Sequence, residues 1–204
     1  NVWRGGEKAY AQTENVALTP GSDAADLNFS WYSAGKGTPA VKVWKDGSKS
    51  SAKVVTGNAE AISAENWQGK SYSAANKVNI ADYFEENTQY HYQYTDNYTG
   101  DDSIWSAEYD YTTKATYKFS VILTGDPQVG ASGSSSDYSA NDASVARDAY
   151  NWNKTMQQAL KTCPDASFLL SAGDQINQSG ATKDNDKKTR ESEYAGYLYP
   201  SVFR

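Results

Sequence analysis

A change of rhythm near Thr113 constrains this chain more than any other feature. From Asn15 to about Thr113 apolar residues alternate with polar ones, and turn residues interrupt the pattern at short intervals. Leu27, Phe29 and Trp31 alternate in "DLNFSWYS", Val41 and Val43 in "AVKVWKDG", and Tyr90, Tyr92 and Tyr94 in "QYHYQYTD". Side chains of a strand point to opposite faces with period two, so each run predicts a strand with one buried face. Asp46-Gly47 marks a turn between two runs, and Ala52 to Val55, Ser73 to Ile80 and Ser103 to Tyr111 are further strands. The total of about seven is that of a small two-sheet sandwich.

After "TTKAT" the alternation ends. Tyr117 to Thr124 is a nearly continuous apolar run, the pattern of a strand buried on both faces. A Gly/Ser-rich stretch follows, and then Val145, Ala149, Trp152, Met156, Ala159 and Leu160 recur at steps of four and three, one face of a helix. Asn141 or Asp142 can cap its start and Pro164 ends it. Ser167 to Ala172 is a second short apolar strand, so the segment reads as a β-α-β unit with parallel strands. A polar loop, "NQSGATKDNDKKTRESE", leads to a short helix near Glu191 to Tyr199. One β-α-β unit and one further helix cannot cover both faces of a parallel sheet, and the second half therefore reads as part of a larger domain.

Both strands of that unit end on the same dipeptide, Gly125-Asp126 and Gly173-Asp174. Parallel strands of one sheet deliver their carboxyl ends to one edge, where α/β proteins place ligands, so Asp126 and Asp174 should emerge side by side. Neighbouring carboxylates repel unless a cation lies between them or one takes a proton. Hard cations suit carboxylate oxygens, and two metals about 3.5–4 Å apart can clamp a phosphoryl group. The competing reading makes both residues strand-end turn formers. Gly100-Asp101, in "DNYTGDD", is turn chemistry of that kind.

With 38% hydrophobic and 22% charged residues, 16 Tyr and 6 Trp, the 204-residue chain is too aromatic and too weakly charged for a disordered one. A net charge of −6 without a Lys/Arg block argues against a nucleic-acid-binding surface. Cys163 is the only cysteine, which excludes an internal disulfide framework; beside Pro164 it reads as an inert, partly buried thiol. No run approaches the length of a membrane span. The sequence starts on Asn1, compatible with a mature exported protein or a processed chain, and its richness in Tyr, Asn, Ser and Thr points to a secreted or cell-surface bacterial location.

Other features stay with bland readings. His91 is the only histidine and reads as a packed or face-exposed strand residue rather than a catalytic one. The Gly/Ser loop at 130 to 136 lacks the Gly-Lys-Ser/Thr ending of a P-loop and reads as a linker or rim. Four glycosylation-type triplets, at Asn28, Asn97, Asn153 and Asn177, arise freely in an Asn-rich chain. Tyr90, Tyr92 and Tyr94 are a sandwich face before they are a sugar or partner platform.

Two resemblances give these expectations a family. "FEENTQY", Phe84 to Tyr90, resembles the E to F corner of fibronectin type III domains, with Glu86 where that family usually has Pro. "GDPQ" at 125 to 128 and "GDQIN" at 173 to 177 resemble the first two motifs of the calcineurin-like metallophosphoesterases. A sandwich before them resembles the N-terminal domain of purple acid phosphatases. The resemblance implies a fibronectin-III/Ig-like β-sandwich at 10–114, then the first β-α-β part of an α/β metallophosphoesterase domain at 115–204. It implies phosphate ester hydrolysis with two divalent or trivalent metal ions, iron, manganese or zinc. Asp126 is then a terminal ligand and Asp174 the bridge, both of them catalytic. Gln128 stands where many members have His, and Asn177 where the purple enzymes have the Tyr that colours ferric iron; both are reduced to weak ligands or supporting amides. The family's Gly-Asn-His-Asp/Glu motif and later histidines have no counterpart in these residues, so they are expected to be inactive alone. A non-catalytic exported β-sandwich module binding a surface, glycan or partner is the alternative.

Overall fold

A computed structural model of the chain describes residues 16–67, 70–133, 140–178 and 190–204. The start of the expected sandwich at residue 10, part of the Gly/Ser loop, the loop after Gln178 and Ser179 of one glycosylation triplet lie outside the described residues. Three sheets and two α-helices are present among the described residues. They fall into two compact units, one holding Val16–Ser63 and Ser73–Phe119, the other Ser120–Phe203 together with residues 64–67 and 70–72 at the joined ends of two strands. No described helix is long and apolar enough to cross a membrane.

The first unit is built from two four-stranded sheets. One has the order β1-β2-β6-β5, from Ala17–Pro20, Leu27–Ser33, Lys70–Ile80 and Asn58–Trp67. The other has the order β4-β3-β7-β8, from Lys53–Thr56, Ala40–Lys45, Gln89–Thr95 and Tyr109–Thr112. The alternation works as the sequence predicts: Leu27, Phe29, Trp31, Tyr90, Tyr92 and Tyr94 are all buried. Their rings interlock between the sheets, with Phe29 edge-on to Tyr92 at 5.2 Å and Trp31 tilted against Tyr94 at 5.0 Å. Such contacts add to the area term that aromatic burial contributes.

The corner at Phe84 to Tyr90 closes as expected. The fully buried Tyr90 turns its hydroxyl back to accept the Glu85 N–H at 2.8 Å. Glu86, in place of Pro, ties the corner to the outgoing chain: Oε1 accepts the Thr116 N–H at 2.9 Å and the Thr116 hydroxyl.

Among the described residues eight strands form where about seven are expected, and the expected strand from Ser103 is shorter than its pattern. Only Tyr109–Thr112 pairs as a strand. Before it, Ser106 substitutes a side chain for a ladder partner, its hydroxyl accepting the Tyr94 N–H at 3.0 Å while its own N–H donates to Tyr94 O at 2.8 Å. A 3-10 turn at Gly100–Asp102 precedes it.

The second unit contains β9, Ser120–Thr124, and β10, Ala166–Ser171, paired parallel, with helix α1, Asp142–Thr162, between them in sequence. A capping box starts α1: Asn141 Oδ1 accepts the Ser144 N–H at 2.9 Å, and the Asn141 N–H donates to Ser144 Oγ at 3.1 Å. Val145, Ala149, Trp152 and Met156 are buried, the predicted face, while Ala159 and Leu160 are half-buried. Helix α2, Arg190–Tyr197, packs by its Tyr197 on Trp152, rings stacked at 5.5 Å with the indole N–H donating to Tyr197 O at 3.0 Å.

One expectation needs correcting here. The Tyr117 to Thr124 run is not a strand buried on both faces: Tyr117 is 85% and Leu123 69% exposed, and the strand begins only at Ser120. In the paired strand Leu170, opposite Leu123, is 55% exposed. A two-stranded parallel sheet with these leucines open leaves apolar area that parallel sheets ordinarily cover.

Candidate functional site at the paired strand ends

Parallel pairing of β9 with β10 brings the two Gly-Asp corners together. Leu123 is level with Leu170 and Thr124 with Ser171, so both strands end in register. The backbones stay paired past the strand ends: the Ala172 N–H donates to Thr124 O at 2.7 Å, Asp126 N–H to Gly173 O at 3.1 Å and Gln128 N–H to Asp174 O at 2.9 Å. Two more bonds, Val129 N–H to Gln175 O at 3.2 Å and Asn177 N–H to Val129 O at 3.1 Å, carry the ladder to the Val129–Ile176 bridge. The four candidates, Asp126, Gln128, Asp174 and Asn177, therefore lie on two loops zipped to each other.

The backbone at these corners is unusual. Asp126 has φ 60°, Gln128 φ 39° and Asp174 φ 48°, all in the left-handed region, with Gly173 at φ 110° and Gly130 at φ 106°. A side chain in this region costs about 1–2 kcal/mol, less for Asp and Asn, whose short side chains bond locally. Glycine takes the left-handed turn at Gly173, and the acidic residues share that geometry.

Asp126 and Asp174 are both exposed, and among the described residues neither carboxylate has a hydrogen-bond or ion-pair partner. Gln128 and Asn177 are half-buried on the same loops. Thr124 Oγ1, immediately before the first corner, is buried without a hydrogen-bond partner. Oxygen donors of this kind suit hard cations. Among the described residues, however, no group of three or more His, Cys, Asp or Glu forms a metal cluster. The residues present fit part of a metal site.

Two acidic side chains that the sequence pattern does not single out hold these loops from behind. On α1, Asp148 Oδ2 accepts the Gly130 N–H at 2.9 Å and the Ser132 N–H at 3.1 Å. Arg147 grips the same loop, donating from Nη2 to Ser132 O at 2.6 Å and from Nε to Ser132 Oγ at 2.9 Å. On α2, the fully buried Glu193 accepts the Gln178 N–H at 3.2 Å, and its Oε1 lies against Gly130, where a Cβ would collide with it. Glu193 thus touches both candidate loops. Burial pushes the Tyr197 phenol up, against the opposing influence of Ser171 and Gln175. In the sequence Glu193 looks like one more solvent-facing acid of a polar helix. Its one signal is helical spacing, which puts it on the face of Gly196 and Tyr197.

The remaining candidates match their bland readings. Cys163 is a half-buried free thiol at the end of α1. His91 is packed on β7 within the first unit. No family model matches the chain, and no curated protein matches its sequence.

Proposed function

We propose that the chain carries part of a metal-dependent phosphoric ester hydrolase, with Asp126 and Asp174 as ligands to a hard cation. One observation carries the reading: two exposed, unpartnered carboxylates are held on adjacent loops in left-handed backbone, a strained arrangement with no folding benefit in view. The strand order β1-β2-β6-β5 against β4-β3-β7-β8 and the Tyr90 corner support a fibronectin-III/Ig-like first domain. The domain pairing, 10–114 with 115–204, supports the resemblance to purple acid phosphatases and other calcineurin-like enzymes.

In this reading the two carboxylates hold the cations, and the amide oxygens of Gln128 and Asn177 are weaker donors from the same loops. Bound metal would supply Lewis-acid polarisation of a phosphoryl oxygen. The chain's own part is positional: Asp148, Arg147 and Glu193 keep the two loops at fixed spacing, so little reorganisation accompanies binding. Exposed Leu123 and Leu170 support a larger domain in which a further layer covers this sheet face. With two carboxylates and no third strong ligand among the described residues, affinity is expected to be low and turnover of an aryl phosphate slight or nil.

The test is thermal unfolding in rising manganese or zinc. A ligand that binds only the native state stabilises by RT ln(1 + [L]/Kd), about 1.4 kcal/mol at tenfold excess over Kd. The expected result is a saturable rise in Tm that Asp126→Asn and Asp174→Asn each reduce. No rise, or one both variants retain, overturns the metal reading and favours an exported β-sandwich module that binds a surface, glycan or partner.

A further inference from the structure

His91 sits on the outer face of the sandwich, away from the strand-end carboxylates in sequence, and both of its ring nitrogens meet acids. Nδ1 lies 2.7 Å from Asp110 Oδ1 on β8, and Nε2 lies 2.9 Å from Asp46 Oδ1 in the turn after β3. A third carboxylate, Glu108 just before β8, comes within 3.5 Å of Nδ1. The ring stacks on the buried Trp44 of β3 at 5.8 Å, and its side chain is 14% exposed. Lys49, in the 3-10 turn that follows, pairs with Glu108 at 2.7 Å and lies 5.0 Å over the Trp44 ring. These four, Asp46, Lys49, Glu108 and Asp110, are the charged groups that face the imidazole from the three elements around it.

Counting protons fixes the state of the ring. An ionised carboxylate only accepts, so two hydrogen bonds to two carboxylates need two N–H donors. A neutral imidazole has one. Asp46 and Asp110, 67% and 71% exposed, present their carboxylate oxygens to the ring as acceptors. The second donor therefore comes from the ring.

We propose that His91 is a proton-operated clasp: as imidazolium it bridges Asp46 and Asp110, fastening edge strand β8 and the Asp46 turn to β7, and it releases them when it deprotonates. β8 is four residues long and, among the described residues, pairs only with β7. Loss of one ring proton leaves one of the two bonds without a donor and returns three carboxylates to a single Lys49. The first unit is thus tight in mildly acidic water and loosens at this edge in alkaline water.

The direction of the titration agrees with the geometry. The Asp46 hydrogen bond, with that of Asp110 adding to it, raises the imidazole above its ordinary 6.5, against partial burial. A histidine raised in the folded state adds stability that is fully present below the unfolded value. That contribution is lost as pH rises through the folded value.

Because the chain has one histidine, NMR reads its titration without assignment, and amide exchange of β8 reads the edge. Expected are a midpoint above 6.5, ring nitrogens both protonated below it, and β8 protection, corrected for intrinsic rate, that drops severalfold across the same pH range. Asp46→Asn and Asp110→Asn, surface changes that leave the core alone, should each lower the midpoint and flatten the drop; His91→Gln should abolish it. A midpoint at or below 6.5, or a β8 pH response that survives both surface variants, overturns the clasp. This test is independent of the metal reading.

Discussion

Replacing Asp174 by Gly separates stored backbone strain from a structural turn. Asp174 holds φ 48° directly after Gly173 at φ 110°, so two consecutive residues are left-handed and one of them has a Cβ. Removing the Cβ recovers about 1–2 kcal/mol in that region, at the low end for Asp. Gly gives back about 0.5–1 kcal/mol through the larger entropy of its unfolded chain. The net is a gain of about 0.5 kcal/mol, with relief of repulsion from Asp126 acting in the same direction. Two controls divide these terms. Asp174→Asn keeps the Cβ and removes the charge, and so reports the repulsion alone. Asp174→Ala keeps the Cβ and removes a side chain that makes no hydrogen bond among the described residues, and so should match Asp174→Asn. The chain has two units and need not unfold in one step, so the assay is amide exchange of α1 and β10 in the presence of chelator. A gain of about 0.5 kcal/mol slows exchange roughly twofold. The same Gly variant should lose the metal response. If it speeds exchange instead, the aspartate is holding the turn, and strain no longer argues for function.

Three further outcomes follow from the contacts. Tyr90→Phe leaves the Glu85 N–H without its acceptor and should cost about 1–1.5 kcal/mol, seen by calorimetry as a fall of roughly 5–10 °C in the transition of the first unit. A change under about 2 °C would show that the corner bond contributes nothing net. Gly130→Ala forces a Cβ against Glu193 Oε1 at φ 106°, an expected loss of about 2–4 kcal/mol in the second unit by urea unfolding, followed by Trp152 stacking. Asp148→Asn keeps one acceptor oxygen for Gly130 and Ser132 but removes its charge; it should weaken metal affinity severalfold while costing only about 1 kcal/mol. Equal metal response in that variant would remove Asp148 from the positioning role.

How much of this was legible depended on whether a residue's environment leaves a periodic mark. Strands β2, β3 and β7 bury one face against large side chains, so alternation found them. Strand β5 alternates through Ala59 and Glu60, and alanine is too small for its half-burial to register against polar neighbours. Strand β1 is four residues ending in Pro20, an edge position without a long pattern. Ser106 interrupts the expected strand from Ser103 to Tyr111 because a hydroxyl can replace a ladder partner, which composition does not reveal. At the strand ends, the side-by-side placement of Asp126 and Asp174 was readable from the same Gly-Asp dipeptide closing both strands and from a crossover that makes them parallel. Their left-handed backbone was not, since Asp adopts that region only where surrounding contacts impose it.

Those imposing contacts are what the proposed reading of the two corners rests on. A turn needs only local residues, whereas here the conformation is maintained from two helices, Asp148 and Arg147 on α1 and Glu193 on α2. The buried Glu193 is the costliest of them, because a carboxylate taken from water must recover its solvation from hydrogen bonds. It accepts from one loop while leaving room for nothing but Gly on the other. A fold that spends a buried acid on the separation of two loops, and then leaves the carboxylates at their tips exposed and unpartnered, has fixed the spacing of two negative charges. On the proposed reading that spacing serves a cation of oxygen-loving chemistry, the kind of ligand two carboxylates recognise.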